Sequence, residues 1–253
     1  MEPCPELQII PVPFADEIRS GDSLLEKLLP ALSHPTRRLR AGDILVVKHK
    51  IVSKAEGQFV PLDAIRPSAS SRAWARRFKL DARVIELALK QSRKVIRRQR
   101  GVLITETRHG LICANSGVDV SNVDGGSQAV LLPTDPDRSA AQLHRGLRKH
   151  LRLSIPVIIS DSFGRPWREG LAEVAIGLAG MKALRDYRGQ RDAYGYPLRA
   201  SIEAVADELA CAAGLVCGKL ARIPVCIIRG FRYRPARGNA RELLRPSAAD
   251  LFR

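Results

Sequence analysis

Two acidic residues that each follow an apolar run are the first candidates for chemistry in this sequence. Asp161 and Ser162 come directly after the run PVIIS, and Asp119 lies in the turn-rich loop 115–126. Carboxylate, amide and hydroxyl oxygens are the ligands that hard divalent cations prefer. A carboxylate beside a serine hydroxyl is a recurrent way to hold Mg²⁺ or Mn²⁺ against phosphate groups. Further candidate ligands in the loop are Asn115, Asn122 and Asp124.

Each of these residues also has a purely structural interpretation. Asn, Asp and Gly dominate turns for conformational reasons, and Asp161 could cap the turn that follows its strand. The loop by itself favours turn chemistry. Asp161 and Ser162 form a second such site, and Arg165 and Arg168 follow it closely. Arginine side chains bind phosphate or carboxylate through paired hydrogen bonds, so the structural and the functional interpretations become equally favoured. The alternative for the arginines is surface ion pairing.

A third candidate segment is HKIVSKAEG, residues 49–57, at the end of a predicted strand over 42–52. A lysine such as Lys54 can reach a phosphate as a point charge, although an ordinary solvated lysine is the alternative. The chain has no Walker A loop, because GLVCGK at 214–219 has the wrong spacing and falls inside a predicted helix. A bound nucleotide would therefore be held by another scheme.

The net charge of +16 over 253 residues indicates anionic partners, which could be nucleic acid, a membrane surface or phosphorylated small molecules. Aromatic residues make up only 5% of the chain and do not interleave with the basic runs. Helix-turn-helix, zinc-finger and RNP-like patterns are missing as well, so we expect no nucleic acid as a partner.

The same sequence predicts a cytoplasmic protein without a membrane partner. No apolar run approaches the roughly 20 residues needed to cross a bilayer, and the N-terminus lacks the basic start and apolar stretch of a signal peptide. The cysteines form no CxxC pair, which fits a reducing compartment. We expect them all to be small buried core residues. They are Cys4, Cys113, Cys211, Cys217 and Cys226.

The alternation of short β-type runs with helical patterns predicts a mixed α+β domain over 1–253, with a possible smaller inserted lobe around the basic, helical stretch 66–100. Strands are predicted at 42–52, 102–107, 111–115, 129–133, 156–160 and 224–231. Helices are predicted at 135–151, at 201–220 and, as one or two elements, within 72–92. The helix 135–151 has an Asp-Pro start and a basic last turn, and 201–220 opens with Ser201 and is apolar almost all round.

Several segments together resemble one known family. They are KIVSKAEG, ICANSGVDVSNVDGG, ISDSFGRPWREG, LRDYRGQRDAYGYPL, ADELACAAGLVCGK, PVCIIRGF and LLRPSAADLFR. In this order they resemble the F420-0:gamma-glutamyl ligase family, from about residue 9 to residue 253. The most specific are ANSGVDVSNV and SDSFGRPWR, and the resemblance is to the free-standing form of the enzyme.

The resemblance implies an enzyme that adds L-glutamate to the anionic, phospholactyl deazaflavin precursor of coenzyme F420. GTP would phosphorylate the precursor's carboxylate, and the glutamate amine would attack the acyl phosphate. Later glutamates would be γ-linked. The alternative is the same scaffold joining an amino acid to a different anionic carboxylate. The resemblance also implies a family-specific α+β fold of two intertwined lobes and a homodimer.

By the motif match, Asp119 and Asp161 would bind one divalent cation, Mg²⁺ or Mn²⁺. Ser162 would bind a second, through its hydroxyl or its main-chain carbonyl, and K⁺ is a further candidate cation. Residues implied for nucleotide binding are Ala15, Asp16, Glu17, Ile18, His49, Lys54, Asn122 and Gly218. Residues implied more loosely for substrate or phosphate are Arg165, Arg168 and Glu208. No residue is assigned a catalytic proton transfer. The pair Ala15-Asp16 stands where relatives often have Leu-Pro.

Overall fold

The computed structural model describes residues 6–14, 17–121 and 124–251. The strands are β1 Gln8–Val12, β2 Ile44–Lys48, β3 Phe59–Pro61, β4 Ser92–Gln99, β5 Val102–Thr107, β6 Ile112–Ala114, β7 Gln128–Val130, β8 Val157–Arg165, β9 Arg168–Ala179, β10 Arg185–Asp186, β11 Ile202–Glu203 and β12 Val225–Arg229. The α-helices are α1 Leu24–Ser33, α2 His49–Ala55, α3 Ala69–Phe78, α4 Ala82–Gln91, α5 Pro136–Leu151 and α6 Val205–Cys217. None of the described helices has the length and apolar composition needed to cross a bilayer.

The main sheet is mixed, with the strand order β1-β12-β2-β8-β9. Its central pair, β2 and β8, is parallel, and the other pairs are antiparallel. Leu45 and Val47 pack on one face with α1 and α5, whereas Ile44 and Val46 pack on the other face with α6. Because both faces are buried, the central strands read as continuous apolar runs in the sequence. The prediction of an α+β fold is confirmed.

A third cluster of buried side chains lies apart from the main sheet. It gathers residues of α3 and α4 with parts of β5 and β7, including Ala75, Ile85, Leu103 and Ala129. The small sheets β4-β5-β6 and β3-β7 accompany it. The predicted lobe at 66–100 shares this cluster with residues outside that range, so its boundary stays a prediction.

Two predicted element boundaries near the sheet are wrong. The predicted strand 42–52 ends at Lys48, where the chain turns into α2. The spacing of Ile51, Val52 and Ala55 is that of a helix face directed at the core, which the β-branched residues obscured. The basic stretch 93–100 belongs to β4, which pairs with β5, and is not helical. Helices do form within 72–92, as predicted.

The helix predicted at 201–220 is shorter, and Ser201 does not cap it. Residues Ile202–Glu203 pair with β10, so α6 begins only after Ala204, without a side-chain cap. One side of α6 is exposed, since Leu215 is 82% exposed. The expectation that the cysteines are all buried is also wrong for Cys211, which is exposed on this helix. Cys4 lies outside the described residues.

The helix predicted at 135–151 is confirmed as α5. Asp135 caps it by accepting a hydrogen bond from the backbone N–H of Arg138, and Pro136 occupies its first turn. Asp137 accepts backbone N–H groups from Leu178 and Ala240. The Asp-Pro-Asp start therefore fixes α5 against β9 and does not enter the candidate site.

Candidate active site

The candidate site forms where β2 ends and β8 continues alone. The ladder between them stops at the pair Lys48 and Ser160, because the chain leaves the sheet at His49 to form α2. Beyond this point, β9 is the one strand among the described residues that pairs with β8. The sequence predicted that Asp161 follows the end of its strand. The strand instead continues to Arg165, and Asp161 follows the last residue that pairs with β2. From Asp161 onward, no described strand pairs with the edge of β8 that faced β2.

Successive side chains of β8 point to opposite faces of the sheet at this edge. Asp161 shares the face of Ile159 and meets α2, whereas Ser160 and Ser162 both contact Glu173 on the α6 face. Asp161 and Ser162, adjacent in sequence, thus belong to two different side-chain clusters. We call the group around Asp161 the carboxylate cluster and the group around Ser162 the ammonium cluster.

The carboxylate cluster is built first on Asp161 and His49. The His49 side chain is buried, and its Nδ1 lies 3.3 Å from the Ser53 hydroxyl, one turn along α2. Its Nε2 lies 3.3 Å from Oδ1 of Asp161, but it has no aligned hydrogen bond to any described residue. Burial raises the pKa of Asp161, yet His49 and the backbone N–H of Ser162 outweigh it and hold this pKa below its usual value.

Asp119 is the second carboxylate of this cluster. Its Oδ2 lies 2.7 Å from the Lys50 ammonium, and its Oδ1 accepts the backbone N–H of Ser121 at 2.7 Å. Lys50 also donates to the backbone and side-chain oxygens of Ser121. Burial raises the pKa of Asp119, but the contacts with Lys50 and Ser121 lower this pKa by more than burial raises it. The Asp119 carboxyl is therefore ionised at neutral pH.

The loop that carries Asp119 is held in an unusual backbone conformation. Asn115, Ser116 and Gly117 all have positive φ, at 51°, 55° and 70°. Asn and Gly adopt this region readily, and the hydroxyl of the buried Ser116 donates to the Ala88 carbonyl at 2.8 Å. The backbone N–H of Ser116 in turn donates to the Thr105 hydroxyl. The NSG turn is thus fixed from both sides, and Asp119 then bridges back to the chain at Val130.

The two carboxylates are close enough to interact electrostatically. The charge of Asp119 raises the pKa of Asp161, and the charge of Asp161, after burial, helps raise the pKa of Cys113 to about 12. Among the described residues no three His, Cys, Asp or Glu side chains converge as a metal cage. Mg²⁺ commonly takes one or two carboxylates and fills its remaining positions with water and substrate phosphates. Asp119 and Asp161, with the orphaned Nε2 of His49 beside them, fit one such ion.

The ammonium cluster surrounds Ser162. The Ser162 hydroxyl donates to Oε1 of Glu173 at 2.6 Å and accepts from the Lys219 ammonium at 3.0 Å. Oε1 of Glu173 also lies 2.5 Å from the Lys48 ammonium, and Oε2 accepts the Ser160 hydroxyl at 3.0 Å. The hydroxyl implied as ligand of a second divalent ion is therefore bonded to an ammonium group. This cluster does not fit a second ion as it stands.

The residues implied for nucleotide binding lie partly around α2. Lys54 is half-buried on the last turn of α2, one turn beyond Lys50. The backbone N–H of Gly21 donates to the carbonyl of Ala55, which brings the segment after Ile18 beside this helix. Ile18 is buried in the main core, which does not favour contact with a ligand, whereas Glu17 is exposed. Ala15, Asp16 and Asn122 lie outside the described residues.

The remaining predicted residues are not gathered with the carboxylates. Arg165 and Arg168 are exposed at the tip of the β8–β9 hairpin, about 13 Å along the strand from Asp161 at 3.3 Å per residue. Glu208 is exposed on the first turn of α6, and Gly218 follows its last turn. Ten residues of helix separate these two by about 15 Å, so they cannot contact one ligand atom.

A cavity of about 600 Å³ lies elsewhere, along the chain after β9. It is lined by Met181, Arg185, Phe231 and Tyr233, among others, and by none of the predicted site residues. Two residues of the ammonium cluster, Lys48 and Glu173, were missed by the sequence analysis. Lys48 lies in the predicted strand 42–52, whereas Glu173 lies in β9, a strand that the sequence analysis did not predict.

Comparison with known proteins identifies the family of this chain. A family model described as F420-0:Gamma-glutamyl ligase matches residues 14–230. The coenzyme F420:L-glutamate ligase of Methanopyrus kandleri is 42% identical, with 98% of each chain covered. The enzyme of the same name from Methanothermobacter thermautotrophicus is 43% identical, covering 93% of this chain and 94% of its own. The enzyme of the same name from Methanocaldococcus jannaschii is 40% identical, covering 84% of this chain and 85% of its own.

The chain therefore belongs to the F420-0:gamma-glutamyl ligase family, as the resemblance of its motifs predicted. It is an enzyme, an amino-acid ligase.

Proposed function

We propose that this protein joins L-glutamate to the phospholactyl deazaflavin precursor of coenzyme F420, with GTP as co-substrate and a divalent cation. Relatives at 42% and 43% identity carry the name coenzyme F420:L-glutamate ligase. The observation that carries the proposal for this chain is that Asp161 and Asp119 contact two consecutive residues of α2, His49 and Lys50. Two ionised carboxylates next to ammonium groups are what a metal-nucleotide complex requires.

The reaction has two balanced steps. The precursor's carboxylate attacks the γ-phosphorus of GTP, so that an acyl phosphate forms and GDP leaves. The amine of L-glutamate then attacks the acyl carbon, phosphate leaves, and one proton is released as the amide forms. Phosphorylation supplies the leaving group that a carboxylate lacks. Further rounds would add γ-linked glutamates.

The chain's own residues hold and neutralise the reactants. Asp119 and Asp161 would hold Mg²⁺ or Mn²⁺, which supplies charge neutralisation on the phosphates. Lys50 and Lys54 are four residues apart and lie on one side of α2, where both ammonium groups can face the same phosphate chain. Lys50 now pairs with Asp119, so nucleotide binding would exchange that partner for a phosphate oxygen. K⁺ is a further cation to test.

Mass spectrometry of the deazaflavin precursor tests the proposal directly. The purified protein is incubated with precursor, GTP, Mn²⁺ and L-glutamate. A mass gain of one or more glutamate residues is expected, and it should vanish without GTP or metal. ATP in place of GTP tests the nucleotide, and Mg²⁺ in place of Mn²⁺ tests the ion. No gain, with GTP still bound, would refute this acceptor and favour a different anionic carboxylate as substrate.

A homodimer is part of the proposal. Large apolar side chains are exposed on the β8–β9 hairpin, at Trp167 and Leu171, and at the C-terminal end of α6, at Leu215 and Leu220. Helix α6 packs on β9, so both groups belong to neighbouring elements. Light scattering after size exclusion should give twice the chain mass of 27.8 kDa. A monomer at micromolar concentration would refute this part.

A further inference from the structure

The ammonium cluster poses a problem of charge. It contains the single carboxylate of Glu173 and two ammonium groups, from Lys48 and Lys219. Both oxygens of Glu173 are already engaged, one by Lys48 and Ser162, the other by Ser160. The cluster is therefore cationic before any metal arrives. A divalent ion bound to the Ser162 hydroxyl would have to sit against a like charge and without a free carboxylate.

The backbone around Lys219 is shaped to bring its side chain to this position. Helix α6 ends at Cys217, and Gly218 then adopts φ 54° and ψ −169°, a conformation almost confined to glycine. Along the same helix, a Cβ added to Gly214 would lie 2.6 Å from Cγ of Glu173, so α6 packs directly over that carboxylate. The close packing and the turn together place Lys219 beside Ser162.

We infer that this protein uses the Lys219 ammonium, supported by Lys48, in place of a second divalent cation beside Ser162. The inference rests on the proposed function, because the positive charge concerned is the charge that meets the GTP phosphates. One divalent ion per chain, at Asp119 and Asp161, then completes the site. The ammonium group is permanently attached, so this half of the site needs no loading from solution.

The test is the number of Mn²⁺ ions bound per chain. Full-length protein is freed of metal and titrated with Mn²⁺ in the presence of GDP, and free Mn²⁺ is followed by electron paramagnetic resonance. The wild type is expected to bind one ion. Lys219→Gln replaces the ammonium by a neutral group with a carbonyl oxygen, and it is expected to bind two. Lys149→Gln, an exposed lysine on α5, is the matched control and should bind as many as the wild type.

A double variant identifies where the additional ion binds. Adding Ser162→Ala to Lys219→Gln should return the number of ions to that of the wild type. The inference is overturned if the wild type binds two ions, or if Lys219→Gln gains none. Lys219 is exposed, so its replacement should not unfold the protein, and circular dichroism checks this.

The proposed function fails in a different way. Failure of the first metal site would appear as no ion bound by the wild type, while the difference of one ion between Lys219→Gln and wild type still decides the inference. Failure of the ligase reaction would appear as no glutamate added in the mass spectrometric assay, whatever the number of ions.

Discussion

Asp161→Asn removes one charge from the carboxylate cluster with almost no change in shape. The side chain is largely enclosed, at 16% exposed, and its Oδ1 accepts the backbone N–H of Ser162 at 2.7 Å. An asparagine oxygen can accept the same hydrogen bond. We therefore expect the variant to fold, with a free energy of unfolding within about 1 kcal/mol of the wild type.

The effect on metal binding should be far larger. Among the described residues of the carboxylate cluster, Asp119 and Asp161 are the two that offer the ion a negative charge, so the substitution removes half of that charge. Loss of a group that merely supports a metal ligand costs roughly 10–100-fold in affinity. Loss of the ligand itself should cost at least about 100-fold, which is about 2.8 kcal/mol. Turnover at limiting Mn²⁺ should fall in proportion.

The pH dependence has a definite sign. The pKa of Asp161 lies below its usual value in the folded protein, so its ionised form contributes stability above the unfolded pKa of about 3.9. That contribution is lost as the pH falls through the folded pKa. The difference in unfolding free energy between wild type and Asp161→Asn should thus be constant near neutral pH. It should decrease only in acid, where the Asp161 carboxylate of the wild type becomes protonated.

Calorimetric titration with Mn²⁺ at pH 7 measures the affinity, and urea unfolding measures the stability. Asp186→Asn is the matched control, because Asp186 is an exposed carboxylate paired with Arg188, far along the chain from the site. It should leave Mn²⁺ binding unchanged. An Asp161→Asn protein that is folded and binds Mn²⁺ as tightly as the wild type would refute the assignment of Asp161.

Two further substitutions test how the site is supported. Ser116→Ala removes the hydroxyl that donates to the buried Ala88 carbonyl, while the Thr105 hydroxyl keeps the Ser116 N–H and the Cys113 carbonyl as partners. The substitution should lower the unfolding free energy by about 1–3 kcal/mol in urea. A change below about 0.5 kcal/mol would contradict a structural role for the Ser116 hydroxyl. Asp207→Asn keeps an acceptor for the Ala175 N–H but removes a carboxylate whose pKa is raised by burial. Because the ionised form is disfavoured in the fold, the variant's melting temperature at pH 7 should be equal or higher, with the gain disappearing below about pH 4. A clear loss of stability at pH 7 would contradict that reasoning.

The carboxylate cluster was accessible from the sequence because its members mark the ends of recognisable patterns. Asp119 follows a strand and an NSG turn, and Asp161 follows a buried apolar run. Neither needs strand pairing to be noticed. His49 and Lys54 were noticed too, although the element that carries them was misjudged as a strand end. Both residues lie on the helix α2, whose apolar face was not recognised because its residues include β-branched ones typical of strands.

Glu173 could not be found in the same way, because its position depends on irregular pairing of a hairpin. Arg165 pairs with Arg168, and a regular hairpin would continue with Ser162 opposite Leu171. A bulge shifts the pairing by two residues after Gly164, so Glu173 lies opposite Ser162 instead. The positive φ of Gly170, at 83°, accompanies the shift, but the sequence does not say where a bulge falls.

The early end of β2 explains why one short segment can serve both clusters. A central strand normally has neighbours on both edges, and its side chains are buried on both faces. Once β2 stops at Lys48, the two faces of β8 meet at an open edge, with Asp161 on one side and Ser162 on the other. A phosphate chain lying across that edge would meet carboxylate-bound metal on one face and lysine ammonium groups on the other. In the proposed site, the two adjacent residues would therefore place a metal cation on one face of β8 and the ammonium groups of the chain on the other.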